Sequence, residues 1–334
     1  MRTTGPPTPG ETHERPRPSH RTRTSSKARD GSAGWRVRLT KADMRYSPYL
    51  YVAPFFVLFA IFGLFPVIYT LWISLHDWTL LGGQEAFVGL DNYAYLLFED
   101  TRFYNALFNT LGMFVLATVP QLLIALLLAD LLNRRIRFRG FFRVSVIFPY
   151  VTSVAATALV FGQLFGRDYG LINYVIELVG LPPVNWQSGR LASWSAVSIM
   201  VDWRWIGYNT LIYLAAMQAI PKDLYEAAAI DGASRMRQFW QITIPMLQPT
   251  ILFTVIISTI GGMQLFTEPV MFGGGDYDGG SQAEFQTIAM YMFSEAFGRQ
   301  DYGYGSAVAW IIFVVIILFS LINVLFVQRI RSAV

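Results

Sequence analysis

The run Val201-Asp202-Trp203-Arg204-Trp205-Ile206-Gly207-Tyr208-Asn209 puts an aspartate and an arginine inside a long apolar stretch. A charged side chain at the centre of a membrane span costs about 2.5 to 3.5 kcal/mol, so Asp202 and Arg204 need partners or water. On a helix, Ser195, Ser198, Asp202, Trp205, Asn209 and Tyr213 recur at steps of three and four and form one polar and aromatic stripe. Tryptophan and tyrosine set flat apolar faces beside hydrogen-bonding edges, a match for a sugar ring with apolar C–H faces and a rim of hydroxyls. Two readings stay open: a cavity lined by the stripe, or a belt of interfacial aromatics with Asp202 paired to Arg204. Further on, Thr254, Ser258, Gly261, Gly262 and Leu265 share a helical face, with Gln264 and Glu268 nearby. Close helix packing and the lining of a pathway account for these small residues equally.

Other chemistries lack their residues. No Gly-Lys pair occurs, so the phosphate-cradling GxxxxGK[ST] loop is absent and the chain is not expected to hydrolyse ATP. His13, His20 and His76 have no metal-ligand spacing, there are no cysteines, and no Gly-x-Ser-x-Gly is present. The expectation is a non-enzyme with no cofactor and no metal.

A second stretch is polar for another reason. Glu226 to Pro249, EAAAIDGASRMRQFWQITIPMLQP, lies between two long apolar segments. Glu226, Ala227, Ala228 and Ala229 favour a helix, Asp231 to Ser234 a turn, and Arg235 to Ile242 a second short helix with a mixed face. This helix-turn-helix is too polar to cross a bilayer and too apolar for a linker. It reads as a surface gripped by another protein.

The elements that must position these residues are membrane helices. Of the 334 residues 54% are hydrophobic, 16% aromatic and only 14% charged, with a mean hydropathy of +0.40. Six segments can cross about 30 Å of hydrocarbon, which takes roughly 20 helical residues: Tyr49 to Leu75, Leu107 to Leu132, Val144 to Phe165, Leu191 to Ile220, Ile251 to Met271 and Val308 to Val327. Helices are required, because an open sheet leaves backbone groups unpaired in lipid and a barrel would alternate in segments of about ten residues.

Residues 1–47 are a different material, with eleven Lys/Arg against four Asp/Glu and no apolar period. They read as a disordered, uncleaved, basic cytoplasmic tail ahead of a membrane domain over 48–334. Arginines and lysines set the orientation: eleven in the tail, five between Asn133 and Arg143, three around the polar stretch and two at the end, against four in the remaining connections. Both termini and the stretch from Glu226 to Pro249 are therefore expected in the cytoplasm. The opposite face is acidic, with Asp77, Glu85, Asp91, Glu99 and Asp100 after the first span and Asp276, Asp278, Glu284, Glu295 and Asp301 before the last. Its glycine-rich loop, Gly273 to Gly280, reads evenly as a functional loop, covering a pathway or docking a delivery protein, or as a solvated connector.

Glu226, Ala227, Ala228, Asp231, Gly232, Ile242 and Pro245, with Ile244 where leucine is more usual, closely resemble the EAA motif of permease subunits in binding-protein-dependent ABC importers. Gly89-Leu90-Asp91-Asn92-Tyr93 and Asp301-Tyr302-Gly303-Tyr304-Gly305 are similar to the carbohydrate-uptake branch related to maltose permeases. The resemblance runs from Tyr49 to Arg331 and omits the tail. It implies an all-α type I ABC importer permease fold of six transmembrane helices with a cytoplasmic coupling helix, in the cell membrane. It implies as partners a second, different permease subunit, two ATP-binding subunits that hydrolyse ATP, an extracellular solute-binding protein, membrane lipid and a di- or oligosaccharide substrate; nucleic acid has no part. The EAA segment would sit in an ATPase cleft and move as a rigid lever with a sharp turn at Gly232.

In maltose-type permeases the pocket draws on the spans flanking the motif. Carried over, it falls on Trp203, Trp205 and Tyr208, and on Ser258, Gly261 and Gly262, beside Asp202, Asn209 and Gln264. Gly261 and Gly262 depart from the aromatic or amide side chains of a pocket, so the partner permease could hold the sugar instead. Trp203 lies off the polar stripe, which predicts an irregular helix near Gly207. The alternative function is a proton-coupled secondary transporter titrating Asp202; the EAA motif and the lack of an internal repeat argue against it.

Overall fold

A computed structural model describes residues 46–79, 81–134 and 136–331, the side chains of Glu85 and of 326–331 excepted. The expected tail thus falls outside the described residues except for its last two positions. The chain divides into two compact units, Met1–Phe65 and Pro66–Val334. Helix α1 is Tyr46–Ser74, with a π-helical turn at Ala60–Leu64.

In the second unit, strands β1 (His76–Thr79) and β2 (Gly83–Phe87) form an antiparallel hairpin with an irregularity between Asp77 and Trp78. Helices α2 (Asp91–Phe98), α3 (Thr101–Asn133), α4 (Arg139–Val151), α5 (Val154–Leu164) and α6 (Leu171–Leu178) follow. Next come α7 (Arg190–Gln218), α8 (Lys222–Ile230), α9 (Arg235–Met263), α10 (Thr267–Phe272), α11 (Ile288–Phe293) and α12 (Tyr302–Arg331).

Helices α1, α3, α9 and α12 are long and apolar enough to cross a bilayer. The span expected at Val144 to Phe165 is not one rod: α4 and α5 meet at a 93° bend. Pro149 lies in the last turn of α4, and the chain leaves it in extended conformation at Thr152, where the Thr152 hydroxyl donates to the Pro149 carbonyl at 2.6 Å. The sixth element is α7, whose 29 residues span about 43 Å. Its polar residues, Asp202 and Arg204 among them, make it less apolar than the rest.

Two further expectations change. The fifth span ends at Met263 rather than Met271, since the chain leaves the helix at Gln264 before α10. The second short helix, Arg235 to Ile242, is instead the first part of α9, joined to the span through a π-helical turn at Phe239–Thr243. Pro245 follows that turn, and the helical N–H it cannot donate is consistent with the locally widened, π-helical bonding before it.

The longest packing is between α3 and α7, with α9 against both. Along their length runs a core of small and bulky residues in register: Met113, Ala117, Val197 and Met200 near one end, then Ala125, Ala129, Tyr213 and Met217 near the other. Starting α3, Asp100 accepts backbone N–H bonds from Arg102 at 2.9 Å and Phe103 at 3.2 Å. Such a cap satisfies donors the helix cannot.

Candidate functional site

Helices α3, α7 and α9 enclose a cavity of about 240 Å³, lined among others by Gln121, Arg204, Trp205, Ser258, Gly261 and Glu268. The non-helical residues Gln264, Leu265 and Phe266 also line it. Irregular backbone at membrane depth is tolerated where it borders a cavity or is buried in protein, because only there do its polar groups find partners. Ser258 accepts from Gln121 Nε2 at 3.4 Å across the space between α9 and α3.

The arginine of the central stretch finds its partner far away in sequence. Arg204 Nη1 donates to Glu268 Oε1 at 3.3 Å, and the two residues are only 8% and 7% exposed. The expected alternative of an Asp202–Arg204 pair is corrected: residues two apart on a helix do not face each other. Separate from that pair, Asp202 leaves Oδ1 buried without a hydrogen-bond partner and does not line the cavity.

Other members of the stripe divide their work. Trp205 faces the cavity and meets Tyr150 of α4 edge-on at 5.5 Å, while Tyr208 stacks on the same ring at 4.8 Å. Tyr213 shares a 2.6 Å hydrogen bond with Thr254, tying α7 to α9, and Ser198 donates to the Met113 carbonyl at 3.4 Å. Asn209 is buried, and Trp203 is 39% exposed beside the Phe161 ring. The expected irregularity near Gly207 is absent, since α7 is one unbroken helix. Gly207 serves packing instead: a Cβ there would lie 1.9 Å from the Val146 carbonyl oxygen, so the missing side chain lets α4 touch α7.

The structure therefore gathers Trp205, Ser258, Gly261, Gly262 and Gln264 around one space and leaves Asp202, Trp203, Tyr208 and Asn209 off its wall. Gly261 has open space where a side chain would project, whereas beside Gly262 the Phe114 ring comes within 2.7 Å of the position of a Cβ. Phe114 thus supplies the aromatic surface that the glycine lacks. Residues of α3 were missed at the sequence level, although Gln121, an amide in an apolar helix next to Pro120, was a signal.

The polar stretch forms an elbow at the other end of α7. Helix α8 closes as its Gly232 turns left-handed, φ +77°, while the Gly232 N–H donates to Ala229 at 3.1 Å and the Ala233 N–H to Ala228 at 2.9 Å. This paired closure needs a residue that tolerates positive φ. Ser234 then caps α9, accepting from the Arg237 N–H at 3.3 Å, and Tyr225 and Thr243 join their hydroxyls at 2.9 Å. Ala228, Asp231, Arg237, Gln241 and Ile242 line a shallow groove of about 340 Å³. Glu226, Ala227 and Pro245 are exposed, Ile244 is half-buried, and Ile230, Met236 and Trp240 are respectively 87%, 67% and 60% exposed.

At the opposite end, Asp100 also accepts from the hydroxyls of Tyr291 and Tyr304. Glu295 is buried between Arg102 at 3.6 Å and Arg299 at 3.0 Å. Burial pushes its carboxyl up to about 7; Arg102 opposes the shift, and Asp100 and Asp301 add to it. Arg102, Arg299, Asp276 and Asp278 border a wide polar groove of about 1070 Å³.

With this geometry in place, a family model described as a binding-protein-dependent transport system inner membrane component matches residues 121–332. The chain belongs to that family of ABC importer permeases. Among similar permeases, the arabinooligosaccharides transport system permease protein AraP of Bacillus subtilis (strain 168) is 34% identical over 87% of this chain and 91% of its own length. The trehalose/maltose transport system permease protein MalF of Thermococcus litoralis is 33% identical, over 82% and 91%. A chain of a bacterial alginate ABC transporter, crystallised with an alginate pentasaccharide-bound periplasmic protein, shares the fold with a TM-score of 0.74 at 23% identity, over 88% of this permease and 98% of that chain. The all-α permease fold expected from the sequence is thereby established, and with it a dependence on a binding protein.

Proposed function

We propose that this permease translocates a sugar, a di- or oligosaccharide, into the cytoplasm as the membrane subunit of an ATP-driven importer. The observation that carries the proposal is the cavity between α3, α7 and α9, with its Trp205 and Phe114 rings beside Gln121, Ser258 and Gln264. Flat apolar faces among amide and hydroxyl groups suit a sugar, and the oligosaccharide names of the relatives point the same way. At about 240 Å³ the space falls below the usual range for ligand pockets, about 300 to 1,000 Å³. A second permease subunit, different from this one, would complete it. Asp202, Trp203, Tyr208 and Asn209 back its wall rather than touch the sugar.

The elbow is the coupling site in this reading. Glu226, Ala227, Ala228, Asp231, Gly232, Ile242, Ile244 and Pro245 shape a short lever with exposed apolar side chains, which two ATP-binding subunits would grip and turn. Both termini and the elbow are cytoplasmic, following the excess of arginine and lysine. Residues 1–47 form a basic tail outside the 48–334 permease domain. Uptake of labelled oligosaccharides by the reconstituted importer tests the reading. Wild-type uptake kinetics in both Trp205→Ala and Gln264→Ala would remove the cavity from the pathway.

A further inference from the structure

Among the described residues that line the cavity between α3, α7 and α9, the charged ones are Arg204 and Glu268. Arg204 stands on α7, and Glu268 in the first turn of α10. Their side chains keep 10% and 9% of their surface exposed, and since both line the cavity, that remnant is what the pair shows to its space. A guanidinium carries five N–H donors. Among the described residues, Arg204 uses them in one bond, from Nη1 to Glu268 Oε1 at 3.3 Å, while Nε is sealed in without a partner. The carboxylate offers about four lone-pair sites, of which this bond takes one.

Stability alone does not explain such a pair. Apolar residues of similar volume hold a buried contact as well as an ion pair or better, because desolvating two charges costs about what their attraction returns. A charged pair on a cavity wall is a recognition surface, with donors and acceptors left over for a guest.

The balance of charge indicates which guest. A hydroxyl accepts from a guanidinium and donates to a carboxylate, so two adjacent hydroxyls of a sugar satisfy both members and leave the wall neutral. Hydrogen bonds to charged groups are about twice as strong as those between neutral ones. A sugar carrying a carboxylate or phosphate fits worse, because its anion would meet Glu268 beside Arg204, and like charges repel more strongly away from water. We propose that Arg204 and Glu268 read two adjacent hydroxyls of the transported sugar and set a preference for uncharged over anionic sugars. The inference rests on the cavity being the sugar's pathway.

The test uses the importer of the uptake assay, solubilised in detergent without its binding protein, so that selection by that protein does not enter. Maltotriose and arabinotriose serve as neutral probes, each beside its counterpart with the terminal CH2OH oxidised to a carboxylate. Kd is taken from the rise in unfolding temperature with sugar concentration. The unaltered importer should bind a neutral sugar about tenfold tighter than its acid. Glu268→Gln keeps an acceptor for Arg204 but removes the negative charge, and should erase most of that preference. Arg204→Met with Glu268→Leu keeps the wall filled, and should weaken neutral sugar about tenfold in a protein that still folds. A wild type that binds sugar and acid equally, or the acid better, would overturn the proposal. So would an unchanged preference in Glu268→Gln, or unaltered affinity for neutral sugar in the double variant, which would leave the pair a merely structural contact. Those outcomes leave the cavity standing as the pathway if Trp205→Ala and Gln264→Ala weaken binding. No sugar bound by the unaltered importer, or full affinity in both of these wall variants, would end the pathway reading and this inference together.

Discussion

The cavity and the elbow are both polar interruptions of an apolar chain, yet they are held in opposite ways. At the cavity, Arg204 and Glu268 are nine-tenths buried and come from segments 64 residues apart. At the elbow, Gly232, Ser234 and Ala228 make only local bonds, and Ile230, Met236 and Trp240 stand exposed. Buried charge fixes the first by long-range pairing; backbone conformation fixes the second. The proposed function uses both, the first as a shaped interior that does not collapse and the second as a stiff external handle that would transmit force without unfolding.

The largest effect is expected from breaking the buried pair. Arg204→Ala leaves Glu268 as an uncompensated buried carboxylate, a loss of about 3 to 5 kcal/mol. The unfolding temperature in detergent should fall sharply, while a double replacement of Arg204 by Met and Glu268 by Leu should recover most of it. No recovery in the double variant would mean that the pair holds the cavity by more than charge balance. At the elbow, Gly232→Val forces a β-branched residue to φ +77°, at a local cost of about 1 to 2 kcal/mol. Stability should change little, and uptake should fall by at least tenfold with the protein still in the membrane. Unchanged uptake with ATPase bound would break the contrast, since the handle would then not depend on its turn.

The contrast also explains what the sequence made legible. The first half of the elbow could be read directly, because a helix of alanines and an Asp-Gly turn are local signals that neighbouring residues alone decide, whereas its second short helix was instead the start of α9. The six-span framework was legible for the same reason in α1, α3, α9 and α12, where apolar composition sets the element. The 93° break between α4 and α5 was not, because Pro149 within a helix permits either a kink or a continuation and packing chooses. Nor was the partner of Arg204. One open reading paired it with Asp202, and nothing local names a glutamate beyond the end of the fifth span as its partner. Gly207 and Gly262 illustrate the same limit: each reads as a small residue, and only the fold reveals Val146 and Phe114 occupying the space.

A smaller effect sharpens the cavity side. Trp205→Ala removes a half-buried ring from the wall and its edge contact with Tyr150, without touching a charge. Sugar stacking of this kind is worth about 1 kcal/mol, so uptake should show a severalfold rise in KM with kcat less affected. An equal loss in both parameters would shift Trp205 from binding to the conformational step. Tyr208→Ala, off the wall, should move KM less than Trp205→Ala does.

The smallest effect asks whether buried charge belongs to the pathway alone. Glu295 is as buried as Glu268 but lies at the end of the permease opposite the elbow, faced by Arg102, Arg299, Asp100 and Asp301. Its carboxyl, 4.5 when unperturbed, is held up to about 7, so the folded chain keeps that proton more tightly than the unfolded one. The associated stabilisation is full below about pH 4.5 and is lost as pH rises through about 7. Asp301, raised mainly by burial, acts in the same direction. Unfolding temperature should therefore decline by a few degrees from pH 5 to pH 8, at about 2 to 4 °C per kcal/mol. Glu295→Gln should flatten the decline without altering KM for sugar. A KM that moves with Glu295 would join its charge cluster to the pathway and leave the elbow as the polar region held by backbone conformation.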